Sequence, residues 1–146
     1  MKPKQSAGSE RGVSALEFTI IAPMLFVLIF GIVEFSFLFY DKAVITNASR
    51  EGARAGIVAQ SPRVTEAEID QVVLAYAQNH LITFGGGTLT ADDCDPVWEG
   101  MSFGDDLTVT VTYQYDFLIL PNFGPLGWGS LSNPITIQAV TVMRLE

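Results

Sequence analysis

Between Phe18 and Tyr40 the chain runs for 23 residues with a single charge, Glu34. A helix of that length is about 35 Å long at 1.5 Å per residue, enough to cross a bilayer core of about 30 Å. The stretch is therefore read as a membrane span, about residues 18–40. With 146 residues in all, the remainder suffices for one domain of about 90 residues with a modest core.

The high hydrophobic content, 49% with a mean hydropathy of +0.33, follows from that run. Net charge is −8, and it is uneven. Lys2, Lys4 and Arg11 stand against Glu10 in residues 1–12, whereas residues 59–146 carry eleven acids against Arg63 and Arg144. An acidic outer part argues against nucleic acid, whose phosphates require clustered Lys and Arg. Cys94 is the single cysteine. It can form no intramolecular disulfide, and either stays free or pairs between chains.

Residues 1–12 are polar, basic and hold Pro3 and two glycines, so disorder is expected there. The run after them is too long for an ordinary secretory signal, and the nearest small-x-small site, Ala53-Arg54-Ala55, lies well beyond it. The helix is therefore expected to be retained. Lys and Arg flank the span equally, so the charge rule does not orient it. Gly12-Val13-Ser14-Ala15-Leu16-Glu17-Phe18 resembles the cleavage site of type IV prepilins, cut after the glycine on the cytoplasmic side. That resemblance implies a cut between Gly12 and Val13, residues 1–12 as a cleaved leader facing the cytoplasm, and Glu17 as the fifth residue of the mature chain.

Glu17 has two readings. It is an acid in a first helical turn, favoured by the helix dipole, or it pairs with the new α-amino group of a neighbour's Val13 and fixes the register between helices. Glu34, about 9 Å from the outer end of the span, is a candidate intramembrane contact: it faces a partner or water, or else snorkels or is protonated. Pro23 frees the Thr19 carbonyl and is tolerated in such a helix.

Past the span, Ile45, Ala48, Gly52, Ala55 and Gly56 recur at three- and four-residue spacing. A long helix over residues 13–58 is expected. Ala48, Gly52 and Gly56 form a stripe of small residues on which another helix can approach closely, here expected to be a neighbouring subunit's, the alternative being that they sit against the chain's own sheet. Ala15-Leu16-Glu17-Phe18, the apolar span with Pro23, and Ala48-Ser49-Arg50-Glu51-Gly52-Ala53-Arg54 together resemble the TadE-like family, minor pilin-like proteins of the tight-adherence (Tad) apparatus that builds Flp-type pili. The resemblance covers roughly residues 11–58, and Arg-Glu-Gly-Ala-Arg is its most telling part. It implies processing by a prepilin peptidase, other pilins or pilin-like subunits as partners, and the bacterial inner membrane as location. Asn47-Ala48-Ser49 also fits a glycosylation sequon, read as chance.

Residues 59–146 are expected to form a periplasmic α+β domain. Thr65 with Glu68 is a capping box that starts a helix near Glu66. Ile69, Val72, Val73, Tyr76, Ala77 and Leu81 give its apolar face, and Gly85-Gly86-Gly87 ends it. Leu107 to Phe117 alternates apolar and polar residues as a half-buried strand does. Ile135 to Leu145 is a second strand, and a weaker third is placed near Thr88–Ala91. The expected fold is α+β, pilin-like: a long membrane-spanning helix, one further helix and an antiparallel sheet of about three strands.

No catalytic set is visible. His80 is the single histidine, which excludes a Ser-His-Asp triad and a histidine metal pair. Asp92, Asp93 and Asp95 with Asp105 and Asp106 offer oxygen ligands for calcium but lack EF-hand spacing, and are read as solvated loop acids. No cofactor and no metal are expected. The Phe123–Trp128 loop either anchors a partner or folds back onto the core. The chain reads as a non-enzymatic pilin-like subunit; the alternative is an uncleaved, membrane-anchored periplasmic adaptor or binding protein.

Overall fold

A computed structural model describes residues 7–83, 87–118 and 134–146, with backbone alone for residues 7–11. The fold is α+β, as the residue pattern indicates. Helix α1 spans Ala7–Gly56 and α2 spans Glu66–Gln78; strands β1 (Cys94–Trp98), β2 (Asp106–Tyr115) and β3 (Ile135–Arg144) follow. They form one antiparallel sheet in the order β1-β2-β3.

α1 begins earlier than expected. Its backbone is already helical at Ala7, where the sequence suggested disorder up to residue 12. No proline lies between Pro3 and Pro23, so nothing stops the helix from propagating back through residues 7–12. It runs through Pro23 without a break. The hydroxyls of Thr19 and Ser36 donate to the carbonyls of Ala15 and Ile32, four residues back, so neither is left unpaired on the apolar surface.

The exposure of α1 divides it in two. From Gly12 to Val33 no side chain is buried. From Glu34 on, the buried set is Glu34, Asp41, Val44, Ile45, Ala48, Ser49, Gly52, Ala53 and Gly56. Their three-, four- and seven-residue spacing is one helical face. That face lies on the sheet and on α2, where Ile45, Ala48 and Ala53 join Ile69, Val73 and Ala77 of α2 and Leu107, Val109 and Val111 of β2 in one core.

α2 starts where its cap predicts. The Thr65 hydroxyl accepts from the Glu68 N–H, and the Glu68 carboxylate accepts from the Thr65 N–H at 2.8 Å. Val72 departs from the expected apolar face and is exposed. It lies one position before Val73 and so about 100° around the helix, off the buried stripe of Ile69, Val73 and Ala77.

β2 alternates as read, with Leu107, Val109, Val111, Tyr113 and Tyr115 turned inward. The third strand is β1, not Thr88–Ala91. Ala91–Asp93 is a single 3₁₀ turn instead: the Asp93 carboxylate accepts from both the N–H and the hydroxyl of Thr90, which closes the chain before it can extend. The other sheet face is open, with Val97, Val140 and Val142 exposed around Thr108 and Thr110. The Phe123–Trp128 loop and Gly85-Gly86 lie outside the described residues.

Candidate functional site

α1 carries the cleavage, registry and helix-packing candidates. Gly12, Val13 and Glu17 lie on its bare half and are exposed. The Gly12–Val13 peptide bond is part of the helix, and no Cβ placed at Gly12 would meet another group within 4 Å.

Glu34 is 1% exposed although it stands in an apolar run. What covers it is the chain's own sheet. Its Oε1 accepts from the Tyr115 hydroxyl at 3.0 Å and from the Leu118 N–H at 2.8 Å. Phe117, one residue earlier, meets Phe35 edge-on at 6.4 Å and Tyr115 at 5.5 Å. A carboxylate with two such donors is satisfied without water. The domain therefore reaches down α1 as far as Glu34, and the contact foreseen for this residue lies within the chain.

Asp41 was missed in the sequence. It stands two turns above Glu34 on the same face and is fully buried. Oδ1 accepts from the Ile82 N–H at 3.0 Å, and Oδ2 has no partner among the described residues. Burial raises its pKa and the Ile82 bond only partly offsets this. Burial likewise raises the pKa of the Tyr113 and Tyr115 hydroxyls, with Asp41 adding to Tyr113 and the Glu34 bond adding to Tyr115. The signal available in sequence was spacing: Glu34, Asp41 and Ala48 recur every seven residues, so two acids share the face of the small-residue stripe.

That stripe turns inward. A Cβ at Gly52 would stand 2.5 Å from Val73 Cγ2 and 3.3 Å from Ile69 Cγ2; one at Gly56 would collide with Leu107 and come within 2.7 Å of Ile69 Cδ1. The glycines permit close approach, as their spacing suggested, but to α2 and β2 of the same chain. Ala48 and Ser49 are fully buried, and the Ser49 hydroxyl lies 2.7 Å from that of Thr141 on β3. This corrects the expectation of a subunit contact at Ala48, Gly52 and Gly56. A side-chain period marks close packing but does not name what packs.

The remaining candidates serve the domain. His80 stacks on Tyr76 at 4.7 Å, with Nδ1 2.7 Å from the Tyr76 carbonyl oxygen. Asp105 accepts from the Ser102 N–H, and Asp106 pairs with Arg144 at 3.3 Å. With Asp93 held by Thr90, these acids are turned to donors of the chain itself. Among the described residues no group of His, Cys, Asp and Glu could hold a metal. Cys94 is buried, and that burial, reinforced by Asp70 and Asp93, pushes its thiol up to about 12.

Among the described residues one helix, α1, is long and apolar enough to cross a membrane. No curated protein and no solved structure matches the chain. The family model for TadE-like protein matches residues 12–54, the bare half of α1 and most of its buried half, which is the stretch that carries the sequence resemblance.

Proposed function

We propose that the chain is a non-enzymatic, single-span, pilin-like subunit of a Tad-type pilus apparatus, held in the bacterial inner membrane with its N-terminus cytoplasmic and its domain periplasmic. The observation that carries this reading is the division of α1: one continuous helix is bare and apolar up to Val33 and sunk into a small domain from Glu34 on. The TadE-like match over residues 12–54 supports it.

In this reading the span is residues 13–33, not 18–40. Those residues make about 31 Å of helix, which fits a bilayer core of about 30 Å. Residues 34–40 then stand at its outer rim. A prepilin peptidase cuts between Gly12 and Val13, and Glu17 pairs with the α-amino group of a neighbouring subunit's Val13 within the membrane, where such a pair sets register. The exposure of Glu17 suits a partner from another chain.

The test is the mature N-terminus. N-terminal sequencing of the protein from cells holding the matching peptidase should begin at Val13. A stable chain that keeps residues 1–12 would instead favour a membrane-anchored periplasmic adaptor.

A further inference from the structure

The two acids of α1 at the outer end of the span are turned away from lipid, while Asp116 beside the foot of the domain is exposed. Glu34 and Asp41 are both buried against the domain. The Ser36 hydroxyl is tied to the Ile32 carbonyl. What α1 shows outward at this level is Phe35, Phe39 and Tyr40, of which Phe39 is 67% exposed. The domain adds Leu118, whose side chain is exposed while its N–H is held by Glu34.

These four side chains make one apolar collar at the foot of the domain, continuous with the bare apolar helix below. Phe39 and Tyr40 stand five and six residues beyond Glu34, about 8–9 Å along the axis. That height is at the outer edge of a headgroup layer of roughly 5–8 Å, toward which helix side chains lean back, and tyrosine gathers in that layer because its ring has an apolar body and a polar tip.

We propose that this collar is a lipid-binding surface: Leu118, Phe35, Phe39 and Tyr40 sit in the outer headgroup layer, so the domain rests on the membrane instead of standing clear of it. Glu34 is the positioning residue, because its bonds to Tyr115 and Leu118 set the height at which the sheet meets the helix. The inference rests on residues 13–33 being the span.

The test uses the full chain in vesicles of phosphatidylcholine with a minority of phosphatidylglycerol. Single spin labels are placed by Leu25→Cys, Leu118→Cys, Phe39→Cys and Val142→Cys, each in a Cys94→Ser background. Collision with oxygen, which concentrates in lipid, is compared with collision with a water-soluble nickel chelate. The oxygen-to-nickel ratio at Leu118 is expected to be several-fold above that at Val142 and below that at Leu25, with Phe39 also above Val142. Two outcomes overturn the inference while leaving the span intact. One is a Leu118 ratio equal to that of Val142, which places the foot of the domain in water. The other is shielding of Leu118 and Phe39 from both reagents, which means that protein covers the collar. A Leu25 label open to nickel removes the span, and this inference with it. Phe39 reports the height of the helix itself, so a domain loosened by Leu118→Cys is recognised by a change at Leu118 alone.

Discussion

At Gly52 the absence of a single carbon decides how close two helices come. Gly52→Ala gains about 1 kcal/mol of helix propensity, but its Cβ meets Val73, a β-branched side chain with little rotamer freedom, at 2.5 Å. Overpacking of this kind costs roughly 1–3 kcal/mol, so a net loss is expected, read as a lower unfolding midpoint in detergent. Gly56→Ala meets the tips of Leu107 and Ile69, which can swing aside, and should cost less. Equal midpoints for the two would contradict this account. Glu34→Ala leaves the Tyr115 hydroxyl and the Leu118 N–H without that acceptor, at about 1–3 kcal/mol for each buried donor. Hydrogen exchange should then speed up at the lower end of β2, whereas Glu34→Gln, which keeps an oxygen acceptor, should stay near the wild type. Cys94 gives a pH test. Its folded pKa of about 12 lies above the ordinary 9.0, so the unfolded chain ionises first. Stability from this group is present below pH 9 and falls as pH rises from about 9 to about 12. Iodoacetamide at mildly alkaline pH should modify Cys94 only after denaturant is added.

Among the elements, those coded by neighbours in the chain were legible. Thr65 and Glu68 fix the start of α2 within four residues, and the alternation from Leu107 on announces β2 by itself. Thr65→Ala should lower stability by about 1 kcal/mol through loss of the cap. The Glu68 carboxylate is held below its ordinary pKa, chiefly by the Thr65 N–H and then by the Thr65 hydroxyl. Its contribution is therefore present above the unfolded value and lost as pH falls through the folded one, and a urea series on Thr65→Ala should show a weaker acid dependence. β1 was not legible, because Asp92, Asp93 and Asp95 around Cys94 and the Pro96 within it read as loop, and only pairing with β2 makes it a strand. The partner of the Gly52–Gly56 stripe was hidden for a similar reason. Glu34 and Tyr115, joined in the fold, lie 81 residues apart in the chain, and no local pattern reports such a meeting.

For the molecule as a whole, the structure moves the natural seam. The sequence suggested a domain of residues 59–146, yet Ile45, Ala48 and Ala53 of α1 supply part of its core. Residues 60–146 alone are therefore expected to show no cooperative thermal transition, whereas a chain starting at residue 34 should be soluble and unfold in one step. Calorimetry on the two fragments decides this; a folded 60–146 would refute it. The sheet holds one more consequence, for how such chains do not aggregate. β1 is five residues long and interrupted by Pro96, which offers no N–H to an arriving strand. On β3, at the other edge, the Lys42 ammonium donates to the Gln138 carbonyl, and Ser49 of α1 holds the Thr141 hydroxyl. Both edges are thus poor templates for a fourth strand. Copies of the chain brought side by side, as the proposed role requires, would thus be hindered from zipping together edge to edge.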